Sequence, residues 1–200
     1  VLVHQGELAT GGQVHASVDV NRRRQIRANH SATHILHKIL RDQLGSHVAQ
    51  RGSLVAPDRL RFDFSHGESI PAATLKVIER LANEAVSAAL VVDIAEKPIN
   101  EARELGAMML FGEKYGDVVR VVSVGGEYSR EFCGGTHVAN TSEIGMIKIV
   151  GESSSAAGVR RIEAITSDGA MDFIAKTISD AERAASLLNV KVDGLSAAIQ

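Results

Sequence analysis

The sequence has one cysteine, no long apolar run and almost no excess charge of either sign. One cysteine excludes a framework of intrachain disulfides and fits a reducing compartment, so we expect a cytoplasmic location. No apolar run approaches the ~20 residues that a membrane-spanning helix needs, and no signal peptide is visible, so no membrane partner is expected. The net charge of −2 indicates neither a strongly basic RNA-binding domain nor a disordered chain.

Two pairs of candidate metal ligands lie about a hundred residues apart. His30 and His34 belong to HSATH, and Cys133 and His137 belong to CGGTH. Zinc prefers neutral imidazole and thiolate ligands, and residues four apart on a helix share one face. We therefore predict one composite zinc site that folding assembles from both segments. His37 shares the helix face and is expected to support the site from outside the coordination sphere.

Cys133 has a second candidate role as a nucleophile, with His137 as its base. The glycines after it can bring the backbone to a helix N-terminus, which lowers a thiol pKa. The two histidines at helical spacing favour a metal instead. Such a metal is structural if four protein ligands close the site and catalytic if water takes one position. Gly134 and Gly135 either let the backbone approach a ligand closely or simply form a tight turn.

The hydrophobic pattern predicts an α+β fold in which an antiparallel sheet packs with helices. We expect a strand pair over residues 1–20 and a helix over about 31–44 that carries HSATH. LRFDFSH, DVVRVVSV and the segments flanking SSSAAG read as strands. A helix is expected from residue 69 or 71 to about 90. After residue 169 a helix should carry an apolar seam at heptad spacing, formed by Ile174, Ile178, Ala181, Ala185 and Leu188.

Four arginines form the densest basic cluster of the chain, at positions 22, 23, 24 and 27. Such a cluster can meet RNA phosphates, and it can equally be a solvated face. GEKYG and SSSAAG contain glycine but lack the spacing of a phosphate-binding loop, so no nucleotide site is assigned. The chain starts at Val1 and stops within a helical pattern at Gln200, as expected for part of a longer protein.

Three long segments carry a family resemblance: RANHSATHILHKILRDQLGSHVAQRGSLVAPDRLRFDFSH, GAMMLFGEKYGDVVRVV and YSREFCGGTHVANTSEIGMIKIVGESSSAAGVRRIEAIT. They resemble the editing domain of alanyl-tRNA synthetase, and nearly all of residues 5–170 fits that pattern. HSATH with CGGTHV is shared by free-standing alanyl-tRNA deacylases, and HxxxH…CxxxH more loosely by the editing domains of threonyl-tRNA synthetase. LRFDFSH together with LFGEKYGDVVRVV is more similar to the synthetase itself.

The resemblance implies hydrolysis of tRNA(Ala) mischarged with serine or glycine, at a zinc site formed by His30, His34, Cys133 and His137. It places two further catalytic candidates, Thr33 and Gln50, in the pocket beside Cys133. Two alternatives stay open: the two side chains recognise the serine hydroxyl or position the attacking water, or else Thr33 bonds to a helix carbonyl and Gln50 orders a loop. To the substrate-binding candidates Gly134 and Gly135 the resemblance adds Arg160 and Arg161, one of which would lie at the tRNA 3′ end.

The resemblance also divides the chain into three parts. Residues 1–24 would be a strand pair from the end of an upstream barrel-like part, 25–168 the editing domain, and 169–200 a helical linker towards a C-terminal domain. The rest of the ligase chain is then a partner, and the C-terminal helix is a candidate dimer contact. Two other functions stay open: a free-standing deacylase acting in trans, and a zinc-stabilised tRNA-binding module without hydrolytic activity.

Overall fold

The computed structural model describes residues 11, 13, 15, 17–109 and 115–199. The helices are α1 (Val20–Leu44), α2 (Ala72–Ser87), α3 (Ile99–Glu104), α4 (Ser167–Leu187) and α5 (Leu195–Ile199), with short 3₁₀ turns at Thr141–Ile144 and Val192–Gly194. The strands are β1 (Gln50–Val55), β2 (Leu60–Ser65), β3 (Val92–Pro98), β4 (Val118–Val124), β5 (Ser129–Phe132), β6 (Ile147–Ala156) and β7 (Val159–Thr166).

These seven strands form two sheets, in which they pair with one another in antiparallel orientation. One sheet has the order β1-β2-β7-β6, and the other has the order β3-β4-β5. The predicted α+β fold, with antiparallel strands packed against helices, is confirmed. The division into two sheets separates the strand that leads into CGGTH from the sheet that carries LRFDFS.

Helix α1 begins well before the predicted position at residue 31. Asp19 caps it, because its carboxylate accepts a hydrogen bond from the Arg22 N–H at 2.9 Å. The arginine cluster therefore occupies the first turns of this helix, and the expected domain boundary after residue 24 lies inside it. Most of the strand pair expected over residues 1–20 lies outside the described residues, and its last residue, Val20, is helical.

The main core lies between α1, α2 and the four-stranded sheet, and it also includes side chains of β3 and β4. Leu60, Phe62 and Phe64 of β2 alternate into it as predicted, and one flank of α1 packs there through Ile35 and Leu36. Burying a side chain of this size stabilises the fold by about 1.5–3 kcal/mol. The core thus fixes the rotation of α1 about its axis and directs the other flank, with its histidines, towards the loop after β5.

Helix α4 confirms the helix predicted after residue 169, but its apolar seam is largely uncovered. Ala185 is buried, whereas Ile178 is 54% and Leu188 is 46% exposed. Among the helices of the described residues, none has the length and apolarity that a membrane span requires.

Candidate metal centre

The four predicted ligands converge on one point. One ligand atom from each of His30, His34, Cys133 and His137 lies within 4.8 Å of all the others. The Cys133 Sγ lies 3.4 Å from His30 Nε2 and 3.4 Å from His137 Nε2. Bonds of about 2.0–2.3 Å in a tetrahedron set neighbouring ligand atoms ~3.3–3.8 Å apart. The arrangement therefore fits a tetrahedral ion with three imidazoles and one thiolate.

Two structural elements supply the four side chains. His30 and His34 lie on successive turns of α1, whereas Cys133 and His137 lie in the loop after β5. Arg120 of β4 holds this loop, because its Nη1 donates to the carbonyl of Cys133 at 2.6 Å and to that of Gly135 at 2.8 Å. The Cys133 N–H in turn donates to the Arg120 carbonyl at 3.0 Å. The position of the thiol is thus set by hydrogen bonds between the backbone of the loop and Arg120 of the neighbouring strand.

The loop is also bound directly to α1. Arg27 Nε donates to the His137 carbonyl at 2.5 Å, and the Val138 N–H donates to Ser31 Oγ at 3.1 Å. Ser31 Oγ also lies 3.1 Å from His137 Nδ1. A metal bound at His137 Nε2 requires the proton on Nδ1, and Ser31 provides the acceptor for it. These contacts orient His137 with Nε2 towards the other ligands.

The backbone at Gly135 packs directly against the ring of His30. A Cβ atom at this position would lie 1.9 Å from His30 Cε1 and 2.4 Å from its Nδ1. At Gly134 a Cβ atom would meet nothing within 4 Å. The glycine at 135 is therefore required by the packing of a ligand ring, whereas Gly134 is not under this constraint. A substrate-binding role for either glycine stays a prediction.

The environment keeps the histidines of the cluster neutral. Burial, followed by the neighbouring His34, lowers the pKa of His30 to about 4. Burial and the two neighbouring imidazoles lower the pKa of His137 to about 2, and burial also lowers the pKa of His34. Neutral imidazole is the form that coordinates zinc, so the unprotonated ligands are ready at physiological pH.

Glu131 of β5 is a buried residue that sequence reasoning missed. Its Oε1 lies 3.0 Å from His37 Nδ1 and its Oε2 lies 3.7 Å from His34 Nδ1. Burial alone would raise the pKa of Glu131, but the surrounding histidines hold that pKa below its usual range. His37 lies outside the four-residue cluster as predicted, and it contacts this carboxylate. The only signal in the sequence was an acidic residue two positions before the cysteine.

The two pocket candidates have different environments. Thr33 is buried, and its hydroxyl donates to the carbonyl of Asn29 at 2.9 Å, which is the helix-bonded alternative named above. Gln50 begins β1 and is half-buried. It lines a cavity of about 130 Å³ whose wall also includes His37, Arg41, Met108, Met109 and Glu131. Gln50 therefore lines the same cavity as Glu131, whose carboxylate faces His34.

The candidate arginines of β7 are engaged in ion pairs of the four-stranded sheet. Arg160 Nε lies 2.6 Å from Glu152 Oε1. Arg161 binds both carboxylate oxygens of Asp63, at 2.7 and 2.8 Å, and this pairing lowers the pKa of Asp63. In the described part of the chain, no contact joins either arginine to the metal cluster. Their binding of the tRNA 3′ end stays a prediction.

The arginine cluster is divided between two roles. Arg24 forms an exposed ion pair with Asp168 at 2.8 Å, and Arg27 binds the metal loop and lies 3.9 Å from Glu143. Both line a cleft of about 230 Å³ beside Val138. Arg22 and Arg23 are exposed on the first turn of α1. Arg22 and Arg23 are thus the part of the cluster that can contact phosphates without disturbing the metal loop.

The part of the chain around the cysteine is similar to a domain of aminoacyl-tRNA synthetases. Residues 119–163 match the family described as the threonyl and alanyl tRNA synthetase second additional domain. This stretch includes Arg120, Glu131, Cys133 and His137, so it contributes the loop side of the cluster. The HSATH helix lies outside the matched residues.

The whole chain is also similar to one segment of alanine–tRNA ligases. It is 49% identical to the ligase of Geobacillus kaustophilus over 100% of the chain and 23% of the relative. Identity is 53% with the ligase of Listeria monocytogenes serotype 4b, over 94% of the chain and 21% of the relative. The chain is 51% identical to the ligase of Halalkalibacterium halodurans, over 96% of the chain and 22% of the relative. These matches confirm the resemblance to alanyl-tRNA synthetase, of which the chain spans less than a quarter.

Proposed function

We propose that this chain hydrolyses the aminoacyl ester of tRNA(Ala) mischarged with serine or glycine, as the editing part of an alanine–tRNA ligase. The observation that carries the proposal is the convergence of His30, His34, Cys133 and His137 in a chain similar throughout to such ligases. In this proposal residues 25–168 form the editing domain, and 169–200 form a linker towards a further domain. The role of α4 as a dimer contact stays a prediction.

Discrimination between small amino acids explains why a ligase needs such a site. A pocket sized for alanine cannot strongly reject glycine, and it excludes one added hydroxyl imperfectly. Differences of this kind provide only about 1–3 kcal/mol of binding discrimination. A second site that hydrolyses the errors and spares alanine removes what the first cannot exclude. The requirement for selectivity therefore rests on groups that recognise serine and glycine without accepting the alanine methyl.

The four cluster residues are the ones that would hold the zinc ion. When bound, zinc would hold the helix and the loop together and, if one of its positions is open to solvent, would also supply Lewis-acid stabilisation of charge and a more acidic water. The aminoacyl ester is already activated, so a positioned water and stabilisation of the developing charge suffice for hydrolysis. Gln50 offers an amide donor and acceptor in the neighbouring cavity, and the Thr33 oxygen keeps an acceptor lone pair.

A cysteine nucleophile is the competing mechanism within the same function. The 3.4 Å separation between Cys133 Sγ and His137 Nε2 also suits a thiol with its base. His30 Nε2 lies at the same distance from the sulfur, and a simple nucleophile–base pair gives no role to this second imidazole. We therefore favour Cys133 as a metal ligand.

Binding of the tRNA is proposed to depend on the rest of the ligase. The net charge of −2 gives this chain little of the phosphate attraction that supplies most non-specific affinity. Arg22 and Arg23 on the first turn of α1 are the proposed local phosphate contacts. Arg160 or Arg161 is proposed for the 3′ end, where it would have to exchange a sheet carboxylate for a phosphate.

The test is a deacylation assay with three substrates. The zinc-loaded chain should release serine from Ser-tRNA(Ala) and glycine from Gly-tRNA(Ala) while leaving Ala-tRNA(Ala) intact. The same assay on the chain joined to its ligase should proceed faster if editing occurs in cis. A chain that binds zinc and tRNA but releases neither amino acid would instead be a zinc-stabilised tRNA-binding module.

A further inference from the structure

The buried carboxylate of Glu131 has no lysine or arginine partner among the described residues. Glu131 is only 6% exposed, and its carboxylate makes its ion-pair contacts with the imidazoles of His34 and His37. Burying a charged carboxylate costs several kcal/mol unless a positive charge or hydrogen bonds offset that cost. The two imidazoles offer hydrogen bonds, and a cation bound close to them would add the positive charge that a buried carboxylate requires.

A metal ion held by the four-residue cluster would provide this cation. A divalent ion bound by one thiolate and three neutral imidazoles carries one net positive charge. Glu131 carries one negative charge directly behind His34, so the buried group as a whole becomes neutral. The carboxylate and the ion therefore stabilise each other across the imidazole of His34.

The hydrogen-bonding pattern adds a positional argument. His34 Nδ1 is buried and has no hydrogen-bond partner, and Glu131 Oε2 at 3.7 Å is the acceptor it faces. With Nδ1 directed at this carboxylate, Nε2 is the nitrogen left for the cluster. A proton on Nδ1 secures the tautomer in which the Nε2 lone pair can coordinate, as in the carboxylate–histidine–zinc arrangement.

We propose that Glu131 is a positioning residue of the metal centre, which fixes the His34 tautomer through Oε2, holds His37 through Oε1 and neutralises the charge of the bound ion. This inference rests on the metal site of the proposed function but not on deacylation itself. Both carboxylate oxygens are needed as acceptors, since two Nδ1–H groups face them. A glutamine offers a single acceptor, so it can satisfy only one of the two histidines and removes the negative charge.

The experiment measures zinc affinity rather than activity. Dissociation constants are determined on the purified chain by competition with a chromophoric chelator, and the Co²⁺-loaded protein gives a spectroscopic signature of coordination. Glu131→Gln should weaken zinc binding by about 10–100-fold, the usual effect of losing such a partner. Glu131→Asp keeps the charge and both acceptors, so it should bind more tightly than the glutamine variant but less tightly than the wild type.

The matched control is Glu127→Gln, which removes the same charge from the preceding turn. Its side chain is 90% exposed and contacts Arg130 instead of the histidines, so its zinc affinity should stay within twofold of the wild type. Zinc affinity of Glu131→Gln within twofold of the wild type would overturn the proposal, as would equal losses in both variants. If Glu131→Gln does not fold, unchanged affinity in Glu131→Asp overturns it.

The outcome can be separated from that of the proposed function. A wild type that binds no zinc contradicts both the positioning role and the zinc site. A wild type that binds zinc without releasing serine contradicts only the deacylation, and the Glu131 variants still test the positioning role. Urea unfolding of the metal-free variants completes the test. A loss of stability with unchanged zinc affinity would make Glu131 a structural residue and overturn the proposal.

Discussion

Adding one methyl group at position 135 should remove a metal ligand without changing any ligand residue. In Gly135→Ala the new Cβ atom would lie 1.9 Å from Cε1 of His30, whereas carbon atoms in contact are normally about 3.5–4.0 Å apart. The ring or the loop must therefore move by roughly 1.5–2 Å. A zinc–nitrogen bond of about 2.0–2.1 Å cannot accommodate such a displacement. We expect His30 to be lost from the site.

The size of the effect follows from two separate contributions. Overpacking of this kind costs about 1–3 kcal/mol of folding free energy. Misplacing one ligand of four should raise the zinc dissociation constant by at least ~10-fold, comparable to the loss of an outer-shell partner. Serine release by the chain should fall with the zinc-loaded fraction. Competition with a chelator measures the affinity, and urea unfolding of the metal-free protein measures the folding contribution.

Gly134→Ala is the matched control, because it adds the same methyl group one residue earlier. Nothing lies within 4 Å of a Cβ atom there, and neither glycine has the positive φ that would strain an alanine backbone. Its zinc affinity should remain within about twofold of the wild type. Equal zinc affinity in both variants, or a greater loss in Gly134→Ala, would refute the packing argument.

The remaining predictions concern the thiol, the arginines, pH and selectivity. Cys133→Ala should lose both zinc and serine release if the thiol is a ligand; retained zinc with lost activity would make it a nucleophile. Arg22→Ala together with Arg23→Ala should raise the KM for mischarged tRNA and make that KM less dependent on salt, while the single-turnover rate stays constant. An unchanged salt dependence would assign both arginines to a solvated face. The pKa of His30 is about 4 in the metal-free fold against 6.5 when unfolded, so the unfolded state takes up the proton first. The free energy of unfolding of the protein, kept metal-free by a chelator, should therefore decrease as pH falls from 6.5 towards 4. A urea midpoint that does not change over this pH range would contradict the prediction. Thr33→Val should reduce serine release about twofold to tenfold more than glycine release, whereas equal losses would place Thr33 in the chemistry shared by both substrates or in the structure.

Local chemistry was sufficient to predict which four side chains converge, and much of the fold. HxxxH identifies a metal-binding helix face because ligand chemistry and helical spacing are both visible in the sequence. Cys133 and His137 could be added because the one cysteine of the sequence lies four residues before a histidine. Likewise, the alternation in LRFDFS predicts a strand because its period needs no knowledge of the partner strands.

Features that depend on tertiary placement could not be predicted. The role of Glu131 arises because β5 packs beside α1, and that of Arg120 because β4 pairs with β5. Gly134 and Gly135 are indistinguishable until the position of His30 is known. The early start of α1 is a different case, since Asp19 is a capping residue visible in the sequence. Hydrophobic periodicity does not predict this start, because the first turns of α1 are exposed and have no apolar pattern.

The construction of the centre links metal binding to the integrity of the fold. His30 comes from α1 and Cys133 from the loop after β5, so a bound ion joins segments that are otherwise connected through Arg27, Ser31 and core packing. A ligand that binds only the folded state stabilises it by about 4 kcal/mol at a concentration 1,000 times its dissociation constant. A ligand variant should therefore lose stability together with hydrolysis. For this reason the catalytic contribution of each side chain has to be measured as a single-turnover rate per zinc-loaded molecule, since a rate per total protein would count unfolded chains as inactive sites.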